Sequence, residues 1–226
     1  ETLVDTGVVK ALFWDQKLLE EVSEGDVCRV VLDKTPFYAE SGGQTYDTGV
    51  IYNDDFMATV EEVVKFQNVF AHKITVKQGT IKLGAEVNAM PHAPTRNRIA
   101  ANHTATHLLH KALKEVLGEH VKQAGSSVTK DALRFDFNHF EAMTAEEVKR
   151  VEEIVNDKIS HFLDVETKEM PIKEAFAEGV TALFGEKYGD VVRVVSVGSY
   201  SKELCGGTHV KNSGQIGAFK ILSEAG

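Results

Sequence analysis

The chain changes its periodicity at Pro91 and Pro94, and that break constrains the fold more than any other feature. Before it, short runs rich in β-branched and aromatic residues read as strands at 8–14, 26–33, 48–52, 58–64, 69–76 and 86–90. Gly7, Gly25, Gly42-Gly43, Gly49, Asn53-Asp54-Asp55, Gly79 and Gly84 punctuate them. Short strands at this spacing predict a small β-barrel over residues 1–93. After the break, apolar residues recur at helical spacing. Leu109, Ala112, Leu113 and Val116 share one face of a helix expected over 95–117, and Gly118 supplies its C-cap. A second helix opens at Thr144, where Glu147 completes a capping box. Val148, Val151, Val155, Ile159 and Phe162 form its core-facing stripe. Strands are expected at 133–137, 165–169, 191–197 and 218–222, with a short helix at 172–177. The expected fold class is α+β: a small N-terminal β-barrel followed by an α+β domain over 94–226.

Composition excludes several classes. With 226 residues the chain can bury a substantial core. It has no apolar run approaching the ~20 residues needed to span a membrane and no basic-then-apolar leader. Its two cysteines, Cys28 and Cys205, are too few for a disulfide framework, so a reducing, cytoplasmic setting is expected. The chain opens on Glu1 and ends just after a strand-like run, as an excised fragment would. A net charge of −9 opposes phosphate binding overall, but charge distribution counts for more than the sum. Arg96, Arg98, Lys111, Lys114 and Lys122 outnumber Glu115 and Glu119 along the first helix and just beyond it. A local basic face is therefore expected there.

Two short patterns carry the chemistry. His103 and His107 lie four apart in the first helix, so both imidazoles can reach one ion. Taken alone, such a pair is more often solvated or packed in a core. Far downstream, Cys205-Gly-Gly-Thr-His209 adds a thiolate and a third imidazole, both favoured by zinc, with glycines that allow a tight turn. Together His103, His107, Cys205 and His209 form a candidate Zn2+ site that the fold must assemble. A metalloprotease is a poor fit, because position 104 is threonine where a glutamate base is needed.

The HxxxH pattern followed by CxxxH resembles the editing domain of alanyl-tRNA synthetases and of their free-standing relatives called AlaX. Further matching stretches are 35–44 (TPFYAESGGQ), 102–110 (NHTATHLLH), 134–137 (RFDF), 182–188 (ALFGEKY) and 203–209 (ELCGGTH). They span nearly the whole chain and resemble the bacterial synthetase in particular. The resemblance implies a β-barrel preceding an α+β editing domain similar to that of threonyl-tRNA synthetases. The implied activity is hydrolysis of the ester joining serine or glycine to alanine-specific tRNA. The partners it implies are the tRNA acceptor end and the rest of the parent synthetase. It also carries metal roles to His103, His107, Cys205 and His209, and editing-pocket roles to Thr106 and Gln123. The family's aminoacylation core is missing from this chain.

The chemistry suits these residues. Serine is alanine plus a hydroxyl, which an apolar pocket cannot strongly exclude. A second site that hydrogen-bonds the hydroxyl can reject alanine, and Thr106 and Gln123 are of the right type. For Thr106 the bland alternative is a hydroxyl bonded to its own helix; for Gln123 it is a surface side chain. Gly42, Gly43 and Gln44 are either a tight turn or a loop that brings Gln44 to the tRNA end. Cys28 reads as a small core residue, and His72, His92, His120, His139 and His161 as surface or packing residues. Three functions compete: a tRNA-ester hydrolase, a zinc-organised module that only docks the tRNA end, and a zinc hydrolase of small esters or amides.

Overall fold

The computed structural model describes residues 3–182 and 188–225. Contacts divide the chain into two compact units. The first runs through Ser41 and resumes over Thr45–Arg96; the second holds Gly42–Gln44 together with Asn97 onward.

Strands β1 (Asp5–Trp14), β2 (Lys17–Leu19), β3 (Glu21–Ser23), β4 (Val27–Leu32), β5 (Gly49–Tyr52), β6 (Met57–Phe66), β7 (Val69–Gln78), β8 (Thr80–Lys82) and β9 (Glu86–Pro91) build the first unit. Six of them pair antiparallel in the order β1-β4-β7-β6-β5-β9, and β9 returns to β1 through pairs such as Gly7↔Val87. The sheet is thus a closed barrel. Closure leaves no open edge among the six, with β2 added as a hairpin arm on β1. Alternation fills the interior: in β4, Cys28, Val30 and Leu32 point inward while the residues between them are more exposed. Val22 of β3 and Ile81 of β8 face each other in a separate two-stranded ribbon and join the same core.

Among the described residues of this unit three polar side chains are buried, Arg96 paired with Asp47 and, separately, His72, and each finds partners. Arg96 Nε donates to Asp47 Oδ2 at 3.1 Å, Arg96 Nη2 donates to the Pro36 carbonyl, and the Tyr38 N–H donates to Asp47 Oδ2 at 2.7 Å. His72 is fully buried. Its Nδ1–H donates to the Val30 carbonyl at 2.9 Å and the Thr35 hydroxyl lies 2.8 Å from Nε2, an arrangement that suits a neutral ring.

The second unit combines helices with two small sheets. Helix α1 spans Ala93–Leu117 and stops at Gly118, whose φ of 116° only glycine adopts readily. Pro94 sits in its first turn, where a missing N–H costs nothing. Helix α2 (Ala145–Ser160) carries the expected capping box, and Val151, Val155 and Ile159 are buried. Phe162, expected in that stripe, lies beyond the helix end at φ 51° and is exposed. Strands β10 (Gln123–Val128) and β11 (Leu133–Phe137) form a hairpin. Strands β12 (Val165–Pro171), β13 (Val191–Val197) and β14 (Ser201–Leu204) form a second sheet, with α3 (Ile172–Ala177) between β12 and β13 in sequence. The strand expected at 218–222 does not form. Asn156 of α2 instead bonds both the N–H and the carbonyl of Phe219 at 2.9 Å, and Glu152 accepts from the Ile221 N–H, so side chains take the place of a strand partner. The 182–188 stretch lies largely outside the described residues. Among those described, no helix is long and apolar enough to cross a membrane.

Burial lowers the pKa of His72 from 6.5 to about 4. The folded ring therefore stays neutral while the unfolded chain takes up a proton below pH 6.5. Barrel stability should fall as the pH drops from 6.5 towards 4, by about 3 kcal/mol from this group. Trp14, the sole tryptophan, lies in β1 and reports on this unit. Urea unfolding followed by its fluorescence should show a shallower acid loss in His72→Gln than in wild type. Parallel curves would contradict the assignment.

Candidate metal centre

Helical periodicity sets the first half of the site. His103 and His107 lie one turn apart on α1, with rings nearly parallel and centroids 5.5 Å apart. The second half follows β14, where Cys205 to His209 turn back towards α1. A Cβ at Gly207 would overlap the His103 ring, so only glycine lets the loop approach so closely. The ligating atoms of His103, His107, Cys205 and His209 all lie within 4.8 Å of one another. Cys205 Sγ is 3.4 Å from His103 Nε2 and 3.3 Å from His209 Nε2. Zinc bonds of ~2.0–2.3 Å in a tetrahedron separate ligands by roughly 3.4–3.7 Å, close to the two sulfur–nitrogen distances, and the set as a whole, spread over up to 4.8 Å, would draw in slightly around an ion.

The imidazoles are anchored from behind. His103 Nδ1–H donates to Gln44 Oε1 at 2.6 Å, and His209 Nδ1 lies 3.1 Å from Thr104 Oγ1. His107 Nδ1 lies 2.5 Å from Glu203 Oε2, an ion-pair contact rather than an aligned hydrogen bond. The second oxygen of Glu203 meets His110 Nδ1 at 2.7 Å. Each of the three ligand-type rings therefore has Nδ1 engaged, which leaves Nε2 for a metal and fixes ring orientation. The donor set and its anchors together are what a zinc site requires.

The electrostatics point the same way. Burial alone would raise the Cys205 thiol, but charged His107 and the surrounding imidazoles pull it well below its ordinary value. Burial likewise opposes ionisation of Glu203, and His107 and His110 overcome it. His107 is correspondingly held protonated against burial by Glu203 and Cys205, whereas burial keeps His209 neutral. Glu203 and Cys205, both drawn towards their charged forms, thus face the imidazolium of His107. A divalent cation would replace that proton and neutralise the cluster better.

The other expected residues divide. Thr106 is buried and its hydroxyl donates to the Asn102 carbonyl at 2.9 Å, the helix-bonded alternative. Gln123 is half-buried at the start of β10, with Nε2 3.3 Å from Ser126 Oγ. Gly42 and Gly43 have φ of 57° and 82°, and a Cβ at Gly43 would overlap Ser126. Gln44, expected at an incoming tRNA end, is instead fully buried with its amide engaged. The expected common basic face is not present. Arg96 is buried against Asp47 in the first unit, where it offers no free charge. Arg98 is exposed but paired with Asp131 at 3.1 Å, and it projects ~160° around the helix from Lys114. Lys111 and Lys114 are half-buried, and Lys114 lies 3.8 Å from Glu119.

Four supporting residues escaped the sequence reading. Glu203 precedes Cys205 by two, and His110 follows His107 by three on the same face, so spacing held a signal for both. Thr104 and Thr208 have no such signal.

Two family descriptions match the chain. That of the class II (A) tRNA synthetases covers residues 1–93, and that of the threonyl and alanyl tRNA synthetase second additional domain covers residues 192–226, including Glu203, Cys205 and His209. The chain is also similar to the alanine–tRNA ligases of Bacillus velezensis (53% identity, all of this chain, 26% of the relative) and of a Thermoanaerobacter species (51%, all of this chain, 26%). The ligase of Listeria monocytogenes is 54% identical over 95% of this chain and 25% of its own length. The chain spans about a quarter of the length of these relatives.

Glu203→Gln keeps size and the acceptor oxygen but removes the charge behind His107. Zinc affinity measured by chelator competition should fall about 10- to 100-fold. Unchanged affinity would remove Glu203 from the account of the site.

Proposed function

Since this chain is, over its whole length, the counterpart of one segment of the bacterial alanine–tRNA ligases, we propose that it is their editing segment. In this reading it hydrolyses the ester joining serine or glycine to the 3′ end of alanine-specific tRNA, in the cytoplasm, as part of a larger synthetase. Residues 1–93 are the barrel domain and residues 94–226 the zinc-containing domain. The observation that carries the proposal is the cluster of buried His103 and His107 with half-buried Cys205 and His209, half of which falls in the segment matching the second additional domain. When bound there, zinc supplies a Lewis acid that polarises an ester carbonyl or acidifies a water.

The chain's own residues supply orientation and selection. Gln44, Thr104 and Glu203 hold the three imidazoles in place. The Thr106 hydroxyl spends its proton on the Asn102 carbonyl, which leaves its oxygen lone pairs to accept from a substrate hydroxyl. Gln123 bonds Ser126 at 3.3 Å, a long contact that a substrate can displace. Alanine lacks the hydroxyl and would leave such polar groups unpaired, which favours serine over alanine. The turn at Gly42 and Gly43 and, on separate faces of α1, Arg98 and the Lys111/Lys114 pair are the proposed contacts for the acceptor end.

A second reading has one observation in its favour. Four protein ligands make a closed zinc shell of the structural kind, which would suit a docking module that carries out no chemistry. Deacylation assays separate the two readings. Serine-selective release from seryl-tRNA over alanyl-tRNA supports editing, and no release from either supports docking.

Recognition and chemistry should separate in variants. Gln123→Leu and Thr106→Val should slow serine release about 5- to 150-fold, the equivalent of 1–3 kcal/mol, with much less effect on glycine. Cys205→Ala should impair both. Equal losses on serine and glycine in the first two would contradict hydroxyl recognition.

A further inference from the structure

Gln44 occupies an unusual place. No part of it reaches solvent, yet it lies in a tripeptide that is separated in sequence from the rest of the second unit. Backbone contacts hold that tripeptide: the Val128 N–H donates to the Gly43 carbonyl at 2.8 Å, and Gln44 forms a parallel bridge with Val128. The side chain then inserts between the two halves of the metal cluster. Oε1 accepts from His103 Nδ1–H at 2.6 Å and from the Thr208 N–H at 2.9 Å, while Nε2 donates to Thr208 Oγ1 at 2.9 Å. Thr208 lies between Cys205 and His209, so one amide touches the support of both half-sites.

The orientation of that amide is decided by its partners. The Thr208 N–H can only donate, so the atom facing it must be the oxygen. That same oxygen can only accept from His103, which places the His103 proton on Nδ1. In the neutral ring that tautomer leaves Nε2 bare, and it is Nε2 that lies 3.4 Å from Cys205 Sγ.

We propose that Gln44 is a positioning residue for the metal shell: it selects the His103 tautomer whose Nε2 can ligate and clamps the Cys205–His209 loop at Thr208. This rests on the metal reading above, and it assigns the Gly-Gly-Gln segment to support of the ligands rather than to contact with the reacting ester.

The test is zinc affinity of the full chain, measured against graded chelators at fixed pH, for wild type, Gln44→Met and Gln44→Glu. Methionine keeps the length and apolar volume but loses the acceptor. Glutamate keeps both acceptor contacts, and the Thr208 hydroxyl can turn to donate to it. The proposal expects a 10- to 100-fold loss for methionine and wild-type affinity or better for glutamate. A merely packing role predicts the reverse, with methionine tolerated and a buried charge rejected. Wild-type affinity in Gln44→Met, or equal losses in both variants, overturns the proposal while leaving the metal site intact. If Gln44→Met does not fold, Gln44→Asn, a methylene too short to reach His103, should show the loss instead; unchanged affinity there also overturns it. Wild type that binds no zinc overturns the metal reading and this proposal with it.

Discussion

Glu203, which is buried, and Cys205, which is half-buried, stand two residues apart where β14 runs into the CxxxH loop, and the rings of His103, His107, His110 and His209 gather around them. An isolated anion in such surroundings costs several kcal/mol, so it must be paired or bound to a metal. Glu203 and Cys205 both pull His107 towards its charged form, and a divalent cation in the place of that proton would balance the pair more fully. The geometry that permits a cation to do so follows from local rules. The 3.6-residue period of α1 stacks His103 over His107, and the missing side chain of Gly207 lets the loop close onto them. Hydrogen bonds behind His103 and His209, and the Glu203 ion pair behind His107, then set which nitrogen of each ring faces the centre.

The first unit meets its constraint differently. A closed six-stranded barrel pairs its backbone all round, so the inward side chains can be almost wholly apolar. The two exceptions, His72 and the Arg96–Asp47 pair, are kept inside because every strong polar contact they need is supplied locally. Removing one partner of the ion pair would strand the other charge, at a cost of about 3–5 kcal/mol.

Much of this was legible in the sequence, for identifiable reasons. The six barrel strands have clear alternation or β-branched runs, and Thr144 with Glu147 marked the start of α2. The four candidate ligands stand out by residue type together with two four-residue spacings, and the fold brings them together. Strands β2, β3 and β8, at three residues each, are too short to show a period. Strand β10 (QAGSSV) is small and polar, so nothing in its composition announces a strand. The extended segment near Phe219 has strand-like composition but finds side-chain partners on α2 instead. Arg96 was misplaced because charge along a helix says nothing about which residues the first turn meets, and Asp47 lies 49 positions earlier. Gln44 reads from the sequence as either part of a tight turn or a loop residue at the tRNA end for the same reason: its contacts with His103 and Thr208 exist only in three dimensions.

In the proposed function His103, His107, Cys205 and His209 hold one zinc ion. X-ray absorption at the zinc edge, on chain purified without chelators, tests it most directly. The account predicts one zinc per chain, with three nitrogen ligands at about 2.0–2.1 Å and one sulfur at about 2.3 Å. Absence of zinc, or a shell with no sulfur, would contradict it.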